Sequence, residues 1–235
     1  MAVDVSPLNV LGGGSPLVNT FSDTFNRSGA DLGPTWLSFS CPYTPIASPP
    51  NYFQATIPGS NDRVTFGPGG GVNNAAWAPP VFLIPRVVVS TLYGVTQFAQ
   101  MTWLNLVNTS RCGPCLMADG FGDNRFQLYA ISIEPGGTNR ISLKRFNGVL
   151  TSATLSVDAG NGSLSSGDVV RISADLSVGG QVTLRTSVNG VVKTTIVDNS
   201  GSLLNTGCPG MQCNSATTNP TGTADWDSFS CGPGL

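Results

Sequence analysis

Apolar and polar residues alternate along many short segments of this chain, and residues 168–176 give the clearest example. The apolar positions there are Val170, Ile172, Ala174 and Leu176, and the polar positions between them are Arg171, Ser173 and Asp175. A period of two places the two sets on opposite faces of a β-strand. The segment therefore predicts a half-buried strand whose apolar face meets the core.

Two Asn-Gly dipeptides predict tight β-hairpins. Asn189-Gly190 interrupts the segment 182–197, and a type I′ turn needs positive φ at both central residues. This turn sets Val188 opposite Val191 and Val182 opposite Val197, although it leaves Lys193 on the apolar face. Asn147-Gly148 joins RISLKRF to VLTSATLSV in the same way.

The same pattern extends over most of the chain. Segments 80–94, 97–107 and 126–134 add further strands, for about a dozen in total, with turn signals at the spacing of a sandwich. The proline-rich stretches 42–50 and 68–80 lack the backbone donors of central strands and predict surface loops. No change of composition divides the strands, so residues 20–235 are expected to form one all-β domain.

Residues 1–19 differ from the rest. Two prolines flank the glycines 12–14, and the segment carries five aliphatic residues, Val3, Val5, Leu8, Val10 and Leu11. One interpretation is a loose terminus. The other is an extended arm whose aliphatic side chains dock on a partner, because disordered tails are usually poorer in such residues.

Composition excludes several functions. The chain has 11 basic and 13 acidic residues, a net charge of −2, which gives no basic surface for nucleic acid or anionic lipid. It has no histidine, and its only glutamate is Glu134. No helix of membrane-spanning length is apparent, and the N-terminus lacks the basic and apolar regions of a secretory signal. We therefore expect no cofactor and no nucleic-acid or membrane partner.

Several segments, in order, resemble concanavalin A-like (laminin-G-like) jelly-roll domains, as found in bacteriophage structural proteins. They are SDTFNRSGADLGPTW (22–36), NGV (147–149), SGDVVRISADL (166–176), VNGVV (188–192), GCPGM (207–211) and ADWDSFSCG (224–232). The resemblance implies a jelly-roll sandwich of two antiparallel sheets with adjacent first and last strands. Members of this fold bind glycans, decorate virions or hydrolyse polysaccharides.

The tetrapeptide Cys112-Gly113-Pro114-Cys115 matches the redox loop of thioredoxins. That motif works where a strand meets a helix, whose N-terminus lowers the pKa of the first thiol. Here the following segments are β-like, and Arg111 stands where thioredoxins carry tryptophan. The context predicts a tight loop rather than a thiol oxidoreductase.

The cysteines leave two alternatives open. Cys112, Cys115, Cys208 and Cys213 have spacings that allow a four-thiolate zinc site, whereas oxidising surroundings favour disulfides. Both Cys41 and Cys231 end a Trp-x-Ser-Phe-Ser stretch, and the resembled fold pairs its terminal strands. A Cys41–Cys231 disulfide is therefore expected, with Cys112–Cys115 and Cys208–Cys213 as local pairs.

The carboxylates do not form an obvious catalytic pair. Glycosidases need two carboxylates within several ångströms, whereas Glu134 stands alone and Asp225 and Asp227 belong to the closing strand. Asp119, Asp123 and Asn124 fit a polar turn better than a calcium site. The sequence predicts no catalytic residue and a protein that is not an enzyme.

Two functions fit these features. The first is a virion structural protein, a bacteriophage capsid decoration or cement protein, assembled in the host cytoplasm and then extracellular. Its partners would be capsid or tail proteins and further copies of the chain. The alternative is a carbohydrate-binding module of a tail fibre or secreted protein, which would contact surface glycans.

The arm hypothesis predicts that deleting residues 1–19 abolishes assembly onto particles and leaves the circular dichroism of the β domain unchanged. The expectation follows from aliphatic side chains that have no local strand or helix in which to be buried. Occupancy on particles, compared with that of the full chain, is the measurement. Wild-type occupancy of the truncated protein would contradict it.

Overall fold

The computed structural model consists of β-strands joined by turns and loops. It describes residues 20–26, 35–40, 53–56, 64–68, 81–85, 95–106, 110–119, 127–134, 140–147, 152–158, 164–176, 180–198, 204, 207–215 and 224–234. The strands are β1 Phe21–Asp23, β2 Trp36–Ser40, β3 Phe53–Thr56, β4 Val64–Pro68, β5 Val81–Pro85, β6 Gln97–Leu106, β7 Ser110–Asp119, β8 Gln127–Glu134, β9 Arg140–Asn147, β10 Ser152–Asp158, β11 Val169–Leu176, β12 Val182–Val188, β13 Val191–Asp198, β14 Cys208–Ser215 and β15 Ala224–Pro233.

These strands form two antiparallel sheets. The eight-stranded sheet has the order β13-β12-β11-β6-β15-β4-β3, with β1 also paired to β15. The seven-stranded sheet has the order β10-β9-β8-β7-β14-β5-β2. The all-β, two-sheet antiparallel sandwich predicted from the sequence is confirmed. Within the ranges given above, no helix has the length and apolar composition needed to cross a membrane.

Alternation of side chains on β11 builds part of the core of the eight-stranded sheet. On β11, Val170, Ile172 and Ala174 are buried, as the sequence predicts. Leu176, by contrast, is 57% exposed. The reason is that β6 begins at Gln97, opposite Ala174, so the end of β11 has a neighbouring strand on only one side.

The hairpin of β12 and β13 forms at Asn189-Gly190, with φ of 50° and 78°, and sets Val188 opposite Val191 as predicted. A bulge between Thr186 and Ser187 then shifts the register. Lys193 is the extra residue, so the predicted pairing of Val182 with Val197 is wrong, and Val182 pairs with Asp198 instead. The bulge turns Asp198 to the buried face and leaves Val197 39% exposed.

Asp198 links the two sheets. The Tyr129 hydroxyl on β8 donates a hydrogen bond to its carboxylate, and Arg145 Nη1 on β9 lies 3.3 Å from Asp198 Oδ2. A buried carboxylate needs such partners to offset its desolvation. Burial, together with the neighbouring Asp198, raises the pKa of Tyr129. Tyr129 therefore acts as a neutral donor at physiological pH.

The first and last strands are adjacent, as the resemblance implies, because Phe21 on β1 pairs with Cys231 on β15. The two similar segments beginning at Trp36 and Trp226 lie in different sheets. They meet across the sandwich, where the rings of Trp36 and Phe229 have centroids 5.1 Å apart.

Asp23 forms hydrogen bonds next to this aromatic contact. Its Oδ2 accepts a hydrogen bond from Trp36 Nε1 at 2.7 Å, and its Oδ1 accepts one from the Phe25 amide at 2.7 Å. Phe25 has a φ of 54°, in the left-handed region, and its side chain is fully buried. The carboxylate thus offsets a strained backbone and joins β1 to β2 of the other sheet.

The substitution Asp23→Asn is expected to lower the free energy of unfolding by about 1–3 kcal/mol, because an amide presents only one acceptor to two donors. Ser22→Ala, at the exposed neighbouring position, is the matched control and should change it by less than about 0.5 kcal/mol. Denaturant titration measures both. Equal stability of the two variants would contradict the role of Asp23.

Candidate functional site

The outer face of the eight-stranded sheet carries a group of half-buried side chains on four neighbouring strands, nine of them polar and one the ring of Phe98, which we call the polar face. Their direction follows from alternation, since the residues between them on β6 and β11 are buried. The polar face consists of Phe98, Gln100 and Thr102 on β6, Arg171, Ser173 and Asp175 on β11, Arg185 and Ser187 on β12, and Ser228 and Ser230 on β15.

Register aligns four of these groups in a row across the sheet. Gln100 lies directly opposite Ser230 on one side and Arg171 on the other, and Arg171 lies opposite Ser187. Adjacent strands are ~4.8 Å apart, so the row extends over about 14 Å. It presents a hydroxyl, an amide, a guanidinium and a second hydroxyl, which are all hydrogen-bonding groups.

Arg171 is held above an aromatic ring. Its Cζ lies 4.0 Å from the centroid of Phe98, a cation–π contact. Phe98 lies opposite Gly232, where a Cβ atom would come within 3.2 Å of the ring. Glycine at 232 therefore leaves room for the ring. Burial lowers the pKa of Arg171 while Asp175 opposes this shift, and the ordinary value is so high that Arg171 stays charged.

Four of the other groups of the polar face are paired with one another. Arg185 forms an ion pair with Asp175, and the hydroxyls of Thr102 and Ser228 are 2.8 Å apart. Arg171 differs, because no carboxylate of the described ranges lies within ion-pair distance of it. Its guanidinium is thus a charged donor with unused hydrogen-bonding capacity.

A second polar row lies within the seven-stranded sheet. Gln212 Nε2 donates to the Ile131 carbonyl at 3.0 Å and to Ser132 Oγ at 3.2 Å, and Ser142 lies opposite Ser132. The side chains of Gln212, Ser132 and Ser142 are fully buried. A ligand cannot reach them in this conformation, so the polar face is the better candidate site.

The cysteine predictions need correction. Cys112 and Cys115 lie within the ten-residue strand β7, in the middle of a sheet, rather than in a tight loop. Cys112 is disulfide-bonded, whereas Cys115, Cys208 and Cys231 are thiols. The predicted bridges Cys41–Cys231, Cys112–Cys115 and Cys208–Cys213 are therefore wrong.

Strand geometry explains the two local errors. Residues three apart on a strand point to opposite faces of the sheet, and their Cα atoms are about 10 Å apart. The Cα atoms of residues five apart are separated by about 17 Å. Both distances are too long for a disulfide. Cys208 and Cys213 both lie on β14. In the backbone register, Cys213 is instead directly opposite Cys112. Cys41 lies outside the described residues.

The zinc alternative is also wrong, because the sulfur of Cys112 is in a disulfide and cannot serve as a thiolate ligand. Across the part of the chain that the structure describes, no three potential ligands are grouped to hold a metal. Burial, followed by the neighbouring Cys231, raises the pKa of Cys115, and burial raises that of Cys231. Redox motifs require the opposite shift.

Four carboxylates stabilise the fold through hydrogen bonds or ion pairs. Asp23 and Asp198 link the sheets, Asp175 pairs with Arg185, and Asp168 accepts hydrogen bonds of 2.7 Å from Ser165 N and Asn189 Nδ2. Asp225 is buried and Asp227 half-buried on β15, on either side of register shifts. The side chain of Glu134, residues 120–126 and the arm residues Val3, Val5, Leu8, Val10 and Leu11 lie outside what the structure describes.

The sequence predicts only part of this site. Alternation on β11 places Arg171, Ser173 and Asp175 on the solvent face, and the structure confirms it. No residue of the polar face was predicted as a site residue, since the position of Phe98 and Gln100 beside Arg171 depends on the pairing of β6 with β11. The only sequence feature that could have indicated their outward position was the alternation of apolar and polar residues within the segment 97–107.

Comparison with known proteins identifies the fold. A protein from Bacillus subtilis of unknown function with a galectin-like fold matches with a TM-score of 0.58 at 11% identity, covering 91% of this chain and 94% of that one. A β-1,3-1,4-glucanase (lichenase) derived from a mouse hindgut metagenome matches with a TM-score of 0.55 at 11% identity, covering 91% and 99%. The Emp47p carbohydrate recognition domain matches with a TM-score of 0.50 at 10% identity, covering 95% and 100%.

No family model and no curated protein matches the sequence. The structural matches establish a galectin-like, concanavalin A-like jelly-roll sandwich, which agrees with the predicted fold. Identities of about a tenth show the fold alone. Lectin-like domains and glycosidases are among the matches, and they lend no support to a virion role.

The buried thiols give a direct test. In native protein, Cys115, Cys208 and Cys231 should resist alkylation at pH 8, because they are buried and the raised pKa values of Cys115 and Cys231 keep those two protonated. Unfolding without reductant should expose all three. Peptide mapping by mass spectrometry should find Cys112 in a disulfide, and the register predicts Cys213 as its partner. Rapid native labelling of Cys115 would contradict this arrangement.

Proposed function

We propose that this protein is a carbohydrate-binding module that binds glycans on the polar face. The observation that carries the proposal is the row of Ser230, Gln100, Arg171 and Ser187, which places four hydrogen-bonding side chains in register on an accessible sheet surface. Sugars offer closely spaced hydroxyls that both donate and accept, and such a row matches them.

Fold similarity supports the proposal at a coarser level. The matching structures include one called a carbohydrate recognition domain and one called a β-1,3-1,4-glucanase. At 10–11% identity these likenesses assign no residue. The proposal therefore depends on the side chains of this chain, and the similar structures support it through the fold alone.

A capsid decoration role, with virion location, other virion proteins or further copies as partners, remains a prediction from sequence. The arm 1–19, which is one of the features that favour it, lies outside the described residues. The absence of catalysis also remains a prediction. A glycan-binding module is compatible with a tail fibre or a secreted protein, which was the alternative considered from the sequence.

Affinity electrophoresis against immobilised neutral and acidic polysaccharides tests the proposal. The wild-type chain should be retarded by at least one of them. The double variant Gln100→Ala, Ser187→Ala should bind that polysaccharide roughly tenfold more weakly, through the loss of two hydrogen bonds. Thr154→Ala, at an exposed position of the other sheet, is the matched control and should bind normally.

Circular dichroism should confirm that the three proteins share one fold. Retardation by none of the polysaccharides would overturn the proposed function. Equal binding by the double variant and the control would also overturn it, because the polar face would then not be the binding surface.

A further inference from the structure

We infer that the ligand of the polar face is an acidic glycan, whose sugar carboxylate pairs with Arg171. This inference rests on the proposed function and adds the chemical class of the ligand. It depends on three features of the described residues, namely the covered ring of Phe98, the unpaired guanidinium of Arg171 and the neutral hydrogen-bonding groups on either side of it.

The ring of Phe98 is not free to stack on a sugar. Arg171 lies over it at 4.0 Å, and Gly232 lies close to the ring edge. The other large aromatic side chains with assigned burial in the described ranges lie in the core, except for Phe21, which is half-buried and packs against it. Those in the core are Trp103, Trp226, Tyr129, Phe25, Phe229, Trp36 and Phe146. The polar face therefore presents charge and hydrogen bonds in place of an open aromatic platform.

Arg171 suits a carboxylate. A guanidinium presents parallel N–H donors that match the two oxygens of a carboxylate, and such pairs are stronger than neutral hydrogen bonds. Arg185 is already paired with Asp175 through Nη1 and Oδ2, whereas Arg171 has no carboxylate of the described ranges at ion-pair distance. The contact with Phe98 restricts the side chain before binding, which reduces the entropy lost when a ligand is fixed.

The neighbours of Arg171 limit the charge of the ligand. Gln100 and Ser187, on either side in the row, are neutral and can bind hydroxyls. Arg185 is neutralised by Asp175, and the whole chain has a net charge of −2. A polyphosphate such as nucleic acid needs several unpaired cations along its path. One unpaired arginine between neutral groups fits a sugar that carries a single carboxylate per residue.

Isothermal titration of the full chain with a uronate polymer and with the same polymer after chemical reduction of its carboxyl groups tests the inference. Polygalacturonate, alginate and hyaluronan are the uronate polymers. A polysaccharide without uronate residues that has been chemically sulfated is a further probe. The wild-type chain should bind one uronate polymer roughly ten- to a hundredfold more tightly than its reduced form. This preference should fall as the salt concentration rises.

Three variants locate the preference. Arg171→Gln should abolish it, Arg171→Lys should retain part of it, and Phe98→Leu should reduce it because the charge remains but is less restricted. Arg140→Gln, which removes the same charge from an exposed position of the other sheet, is the control and should keep the preference.

The outcomes separate the two proposals. Equal binding of the acidic and reduced polymers, tighter binding of the sulfated polymer, or an unchanged preference in Arg171→Gln would overturn the acidic-glycan inference while glycan binding stands. Binding of no polysaccharide, acidic or neutral, would overturn the proposed function itself.

Discussion

The register of β6 between β11 and β15 is the constraint on which the candidate site depends. Ala99 and Met101 on β6 are buried opposite Ile172 and Val170 on β11, so slipping by one residue would turn these side chains to solvent. Full burial of a side chain such as Met101, Val170 or Ile172 stabilises the fold by about 1.5–3 kcal/mol. The alternate residues of the same strands are thereby fixed on the outside. The core thus determines which polar groups become neighbours on the polar face.

Sequence reasoning succeeds here where the cause is local. Alternation identifies the faces of β11, and Asn189-Gly190 identifies the hairpin, because both depend on a few consecutive residues. It fails at the bulge of β13. The predicted register placed Lys193 on the apolar face of β13. In the structure Lys193 is the extra residue of the bulge and has no partner position on β12. Asp198 then enters the interior, where Tyr129 and Arg145 compensate it, and those partners are more than fifty residues away in the chain.

The cysteines illustrate the same limit. Their spacing was compatible with zinc or local disulfides, yet β7 and β14 are extended strands, which separates near neighbours in sequence and brings Cys112 opposite Cys213. The segment 22–36, which is one of those that resemble jelly-roll domains, indicates the architecture rather than a ligand. Asp23, Phe25 and Trp36 join the first strand to the opposite sheet through hydrogen bonds and ring packing. These residues have structural roles, which explains how they can indicate a fold without indicating a ligand.

The fold and the proposed binding surface therefore involve different faces of the same strands. The inward residues of β6 and β11 must fill a core of fixed thickness, and chains with little sequence identity satisfy this requirement with the same architecture. The outward residues of these strands do not fill that core, because alternation turns them to the other face of the sheet. Carbohydrate recognition domains and glucanases can share this sandwich because their differences need not alter its core. In this chain the outward position opposite Gly232 carries Phe98, whose ring holds Arg171. That contact is specific to these side chains, and fold similarity alone could not have predicted it.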